Sequence, residues 1–550
     1  MTSTLRGADI VMRSLETAGC TRIFTLSGNH IMSLFDAALE TSLDLIHVRQ
    51  EAAAVHMADA WGRLTGRPGV AMVTGGPGHA NAVAALFTAR GQESPLVLLS
   101  GHTATGELGR GGFQELRQAE MAAPVAKASW TAHATETLGA ELARAFRIAS
   151  SGRPGPVHLS LPSDVLDRAV ASETITWPAR ADFVPAPVDL ADPAADAALA
   201  LIAAAERPLL IAGPQLATSA GHALLERIEA ATGMPGAVSE SPRGIADATL
   251  GAFSALVARA DLIVLLGKAL DFTLKFGALP GDGAGRRWVM LDPEGPILDR
   301  AARELGPRLA FACLADAYPA GEALIRRAVG AARARPEWRA EAARRLRGRP
   351  AAWESLTAAT AGKLHPVEVF RALRPYVAAD PETVLICDGG EFAQWGQSLL
   401  AAPRRLINGV GGSIGASLPF ALAARVAEAR APVFAVLGDG TFGFHMAEFE
   451  TAVRRDLPFV AVVGTDARWN AEYNLQLRDY GANRARGCEL APTRYDLVVT
   501  ALGGHGELVE RAADLPGAIE RALASGKPAC INVMIESIAA PNLRGDEVLG

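Results

Sequence analysis

The sequence predicts an α/β protein made of three doubly wound parallel-sheet domains, and three observations carry that prediction. Short apolar runs alternate with helical patterns over most of the chain, as expected for strands buried on both faces of a parallel sheet. A Pro-rich stretch and an Arg- and Ala-rich stretch interrupt this alternation and divide it into three blocks. The length, 550 residues, exceeds what one compact core holds.

The first block spans residues 1–175, with its alternation clearest from Ile23 to Leu161. Val70 to Thr74 reads as a strand running into Gly75-Gly76-Pro77-Gly78, and Asn81 to Arg90 as the helix after it. Leu96 to Ser100 is a second buried strand. The Pro-rich stretch from Trp177 to Pro193 reads as a linker. The second block, residues 190–335, has strands at Leu209 to Gly213, Leu262 to Gly267 and Trp288 to Asp292. Ala331 to Thr360 reads as an exposed helical connector. The third block, residues 360–540, has strands at Val384 to Ile386, Val433 to Leu437 and Phe459 to Val463. No short repeat is present.

Composition narrows the class of function. The chain is 49% apolar and 20% charged, an ordinary globular balance. A net charge of −6 without a long run of one sign argues against a nucleic-acid partner. The opening residues carry no secretory h-region, and the apolar runs are too short and Gly-punctuated to span a membrane. Five scattered cysteines without a CxxC pair suggest neither a disulfide framework nor a zinc site, so a reducing cytoplasm is expected.

The most informative segment is the strand Val433–Leu437 followed by Gly438-Asp439-Gly440-Thr441-Phe442-Gly443, with a helix predicted from His445 to Arg455. Backbone N–H groups at such a turn suit phosphate oxygens. The glycine spacing also satisfies GxGxxG, so a dinucleotide site competes. Asp439 argues against it, because a carboxylate inside the turn repels a pyrophosphate unless a divalent cation lies between. Mg²⁺ takes one or two carboxylates together with phosphate oxygens. The next strand ends at Gly464-Thr465-Asp466, 27 residues beyond Asp439. Neighbouring parallel strands end at one sheet edge, so Asp466 can reach the same cation. Alone, Asp466 would read as a helix cap or turn residue.

Here the chain resembles the thiamine diphosphate enzymes, whose signature is a Gly-Asp-Gly turn followed some thirty residues later by Asn-Asn. Thr465-Asp466 departs from that pair. The resemblance implies Mg²⁺ held by Asp439, Asp466 and the backbone carbonyl of Arg468, with Gly438, Gly440 and Thr441 at the diphosphate. An extra negative charge should weaken cofactor binding unless a cation such as Arg468 offsets it. Gly281-Asp282-Gly283 is a decoy: no long apolar strand precedes it, and Leu309, at the matching distance, cannot ligate.

The same resemblance assigns the other half of the site. His47-Val48-Arg49-Gln50-Glu51 leading into an apolar helix matches the family's helix start, with Gln50 in place of the usual His. Glu51 is then the acid that promotes the imino tautomer of the aminopyrimidine, chemistry that asks for a buried carboxylate with a raised pKa. Without the resemblance, Glu51 is a dipole-favoured residue in a first helical turn, although an apolar helix makes an unpaired carboxylate costly. Pro77 and Asn81 belong to the turn against the pyrimidine. Gly412, Ser413 and Ile414 belong to the loop that bends the cofactor, with Ile414 as apolar wedge or, more plainly, a core residue. Gly390, Glu391 and Phe392 touch the diphosphate from the other side.

His30 and Gln114 are the expected substrate-side groups, His30 shuttling a proton and Gln114 hydrogen-bonding the reacting substrate; a histidine capping a turn is the plain alternative. Trp469 and Asn470 line the same cavity, with Asn470 where a glycine is usual. The resemblance extends over nearly the whole chain and takes in acetolactate synthases, benzaldehyde lyase and 2-hydroxyacyl-CoA lyases. It implies a thiamine diphosphate- and Mg²⁺-dependent carboligase or lyase acting on 2-oxo acids or 2-hydroxy ketones. A 2-oxo acid or oxalyl-CoA-type decarboxylase and a 2-hydroxyacyl-CoA lyase are the alternatives, with a catalytically silent homologue as a reading of another class. FAD or ADP in the central domain stays open. A homodimer is the implied minimum and a homotetramer is common, because in such enzymes the first domain of one subunit meets the third of another.

Overall fold

The structure is a computed structural model that describes residues 4–281, 285–328, 334–541 and 543. The decoy residues Asp282 and Gly283, and the first three residues of the predicted connector, lie outside the described residues. The described residues contain three parallel sheets, as the alternation predicts. They fall in two compact units: one holds the first sheet, up to Ala186 with Leu422–Glu428 and Glu450–Arg455, and the other holds the second and third.

In the first unit six parallel strands run in the order Asp44–His47, Arg22–Thr25, Gly69–Val73, Leu96–His102, Pro156–Pro162, Ala128–Thr131. The inner strands are buried along their length, which explains their unbroken apolar runs. A short antiparallel pair, Thr4–Arg6 with Ala169–Ala171, lies apart from this sheet. The helix Glu51–Thr65 is capped by Gln50, whose side chain accepts from the Ala52 N–H at 2.7 Å, and stops at Gly66 in the left-handed region. The next helix begins at Pro77, earlier than predicted, because proline loses nothing in a first helical turn.

The second sheet runs Gly236–Val238, Pro208–Ala212, Leu262–Leu266, Arg287–Asp292, Leu309–Leu314. The predicted exposed connector is corrected here. Its helix Pro336–Arg347 is amphipathic, and Trp338 and Ala342 enter the core of this sheet. The Trp338 indole donates to the Pro208 carbonyl at 2.8 Å. Buried Arg335 donates to the carbonyls of Ile202, Ala205 and Thr232, filling acceptors that two helix ends leave open. The arginine count concealed a helix with one apolar face.

The third sheet runs Arg404–Ile407, Val384–Asp388, Val433–Gly438, Val460–Thr465, Ala529–Met534, His505–Val509. After Val384–Asp388 the chain adds a strand on one side, then returns to place Val433–Gly438 on the other. The strand order therefore reverses between these two strands, the crevice where open α/β sheets hold ligands. The helix predicted over His445 to Arg455 is two helices, Asp439–His445 and Glu448–Arg454. The first starts inside the glycine motif itself, so Asp439 occupies a helix N-terminus rather than a loop. Among the described residues no helix is long and apolar enough to cross a membrane.

Candidate active site

The crevice of the third sheet opens into a cavity of about 210 Å³ lined by Asp439, Gly440, Asp466 and Arg468, and by Gly390 and Glu391. Gly438 pairs with Gly464 across the two strands, which brings Asp439 and Asp466 to one edge. Asp439 is 2% exposed. One of its oxygens accepts from the Gly440 N–H and the other from the Ala467 N–H, both at 2.8 Å. Ala467 holds a left-handed φ of 57° to make that contact. Burial pushes Asp439 up to about 6. Burial, and after it the charge of Asp439, pushes Asp466 up to about 7. Two carboxylates at one sheet edge, one raising the other, form a donor set suited to a divalent cation. Thr465 does not join them: its side chain is buried and donates to Asn532 at 2.5 Å.

Several residues shape the cavity around this pair. The Trp469 ring lies over Gly440, where an added Cβ would come within 2.5 Å of it. Thr441 is buried against Gly389, whose φ of 99° only glycine adopts readily. Asn470 donates to the Ile538 carbonyl at 3.3 Å and opens the helix Asn470–Tyr480. The Arg468 guanidinium stacks on Tyr473 at 4.1 Å. Ile414 is half-buried and lines the cavity, so it is not the core residue of the plainer reading. Gly412 is exposed, and the Ser413 carbonyl accepts from Asn408. Glu391 accepts from the Ala540 N–H and lies 3.7 Å from Arg243. The Phe392 ring is a core residue, 4.8 Å from Phe370 and packed over Gly464.

Sequence reasoning placed Asp388 only as the first residue of the segment expected at the diphosphate and gave it no role of its own. It is fully buried, and burial pushes it up to about 6. One oxygen accepts from Gly415 at 3.0 Å and Ser417 at 2.8 Å, holding the loop that carries Ile414. Its only signal was its place at a strand end before Gly389-Gly390.

In the first unit Glu51 stands at the start of its helix and accepts from the Asn81 side chain at 3.0 Å. It is half-buried in the chain taken by itself, less enclosed than the chemistry asks. An added Cβ at Gly78 would stand 3.4 Å from its carboxylate. His30 is 6% exposed, its Nδ1 3.3 Å from the Thr74 hydroxyl and its ring stacked on Phe113 at 5.9 Å. Burial lowers its pKa, so the ring is neutral near pH 7. Gln114 has a left-handed φ of 55° and packs on Gly76, where an added Cβ would come within 2.6 Å of its carbonyl.

Gln118 was missed, and no local signal marks it, because its partners are distant in sequence. It accepts from the Gly76 N–H at 2.8 Å and donates to the Gly101 carbonyl at 3.1 Å and the Ser160 hydroxyl at 2.9 Å. It therefore holds the turn that presents Pro77 and Asn81. Gln118→Leu should cost about 2–3 kcal/mol, because it strands a buried N–H and a buried carbonyl. A melting curve checks this, and an unchanged midpoint would reject the role.

The fold and the crevice define an α/β scaffold with two carboxylates at the point where the strand order of its third sheet reverses. Comparison with known proteins gives the family. Residues 5–121 match the N-terminal and residues 388–533 the C-terminal TPP binding domain of thiamine pyrophosphate enzymes. The chain is 32% identical over 562 residues to a probable acetolactate synthase of Mycobacterium bovis, covering 98% of this chain and 97% of that protein. It is 28% identical over 579 residues to the human 2-hydroxyacyl-CoA lyase 2, covering 97% and 90%. A 2-hydroxyacyl-CoA lyase of Oryza sativa is 29% identical over 574 residues, covering 97% and 96%. The chain belongs to the thiamine pyrophosphate enzymes and is a thiamine pyrophosphate-dependent enzyme of the synthase and lyase kind.

Proposed function

We propose that this enzyme makes or cleaves a carbon–carbon bond next to a carbonyl, as a carboligase or lyase on 2-oxo acids or 2-hydroxy ketones, with Mg²⁺ as its metal. The observation that carries the reading is the pairing of buried Asp439 with half-buried Asp466 at the crevice of the third sheet. Full-length similarity to acetolactate synthases and 2-hydroxyacyl-CoA lyases supports the bond class. The lyase names also support a second reading, cleavage of a 2-hydroxyacyl-CoA thioester.

The residues present fit the cofactor. Asp439, Asp466 and the Arg468 carbonyl would hold the cation, while Gly438, Gly440, Thr441, Gly390 and Glu391 would border the diphosphate. When bound, thiamine diphosphate supplies a nucleophilic carbon and an electron sink. Glu51 holds a proton at the pyrimidine ring, and Asn81 fixes the orientation of its carboxylate. His30, neutral near pH 7, takes and returns a proton at the substrate oxygen. Gln114 donates a hydrogen bond to the substrate. Ile414 would supply an apolar contact to the bound cofactor, and Trp469 and Asn470 wall the cavity against water. A homodimer is the minimum assembly in this reading and a homotetramer its doubling. Five cysteines without disulfides suit a reducing cytoplasm.

The test is direct. Thiamine diphosphate with Mg²⁺ should raise the melting temperature by about 5 °C at saturation. Pyruvate, a benzoin-type hydroxyketone and a 2-hydroxyacyl-CoA should then be offered separately, with products identified by mass spectrometry. No thermal shift and no product from any of the three would reject the proposal.

A further inference from the structure

Asp466 gives the cavity a second carboxylate, which feels the charge of Arg468 without pairing with it. Among the described residues neither Asp439 nor Asp466 forms an ion pair with a Lys, Arg or His side chain. The nearest candidate, Arg468, lays its guanidinium on the Tyr473 ring instead. The other arginine on the cavity wall, Arg243, lies 3.7 Å from Glu391 and donates to the Pro541 carbonyl. The Gly440 and Ala467 N–H groups each donate to one oxygen of Asp439, and a carboxylate offers about four acceptor sites. Two carboxylates therefore face one small cavity.

Charge arithmetic decides what enters first. A bare diphosphate approaching two carboxylates is repelled from both. A divalent cation approaching the same pair is attracted by both and cancels their charge without help from a cofactor. With one carboxylate and a neutral amide, the cation would retain a net positive charge and depend on the diphosphate to balance it. Affinity of an oxygen-ligand cation site rises with its count of charged ligands.

We propose that binding is ordered: the divalent cation loads onto Asp439 and Asp466 in the cofactor-free protein, and the diphosphate follows onto the loaded metal. This rests on the proposed site but makes a claim about sequence of binding that the site alone does not require. Asp466 is then the residue that determines the order.

Mn²⁺ is the probe, titrated alone into cofactor-free protein near pH 8 and followed by the electron paramagnetic resonance of the free ion. We expect one site per chain, weakened by about tenfold or more in Asp466→Asn, which keeps side-chain shape and removes the charge. Asp439→Asn should weaken it comparably, a second check should either variant fold poorly. In EDTA, wild-type protein should show no calorimetric signal with thiamine diphosphate or inorganic diphosphate, and Asp466→Asn should bind diphosphate at least about tenfold better than wild type. Equal Mn²⁺ affinity in wild type and Asp466→Asn would overturn the proposal, as would diphosphate binding to wild type that is indifferent to metal. Wild-type protein that takes cation and thiamine diphosphate only together would overturn ordered loading while leaving the proposed function standing. Protein that takes neither cation nor thiamine diphosphate, alone or together, would overturn both.

Discussion

Glu51→Gln should lower kcat by about three orders of magnitude while the fold and cofactor affinity stay intact. The size follows from the role, since a positioned acid or base contributes roughly 10²–10⁴ in rate. Glutamine has the shape of glutamate, and its amide oxygen can still accept the hydrogen bond that Asn81 donates at 3.0 Å. Half-buried Glu51 caps no other structure, so the melting temperature should not move. Steady-state kinetics with a calorimetric measure of cofactor affinity separate the two effects. A loss of affinity with unchanged kcat would make Glu51 a binding residue, and undiminished activity would remove it from the mechanism.

Asp439→Ala should abolish cofactor retention, with affinity for thiamine diphosphate and Mg²⁺ falling by about 100-fold or more. Two losses combine. The cation loses a carboxylate ligand, and the Gly440 and Ala467 N–H groups lose their shared acceptor. Ala467 keeps its left-handed backbone only while something holds it there, so the segment leading to Trp469 and Asn470 should loosen. The cofactor-free protein should change by only about 1–2 kcal/mol, because removing a carboxylate that burial pushes up to about 6 offsets part of the lost hydrogen bonding. Equilibrium dialysis with thiamine diphosphate and Mg²⁺, beside a melting curve without them, checks both halves. Retention equal to wild type would exclude Asp439 as the metal ligand.

Much of the scaffold was legible because buried parallel strands must be apolar throughout. Val384–Asp388, Val433–Gly438 and Val460–Thr465 lie where the apolar runs placed them, within two residues. What went astray depended on context. The helix Pro336–Arg347 looked exposed because its charged residues outnumber its apolar ones, yet Trp338 and Ala342 share a face that a core fills. The break after His445 had no strong local punctuation, and helix boundaries are the weakest part of any periodic reading.

The site divides along the same line. Asp439 and Asp466 were legible because a glycine turn after a strand and the 27-residue spacing constrain where their side chains end up. Glu51 with Asn81 was legible through the resemblance of the segments that carry them. Gln118 and Asp388 were not, since each acts through backbone groups that the fold brings together: Gly76 and Gly101 for one, Gly415 and Ser417 for the other. Phe392, assigned to the diphosphate side, lines the cavity while its ring packs with Phe370 and over Gly464, a packing no local signal foretold.

By itself, then, the sequence determined the fold class and the family and pointed to the candidate acids, because strand periodicity and short glycine motifs are local and survive without neighbours. Only the tertiary structure decided how those acids are held: that Asp439 opens a helix, that its charge raises Asp466, and that Arg468 rests on Tyr473 rather than on a carboxylate. Each depends on which groups meet after folding, and electrostatic interaction depends on distance and burial that no spacing along the chain encodes.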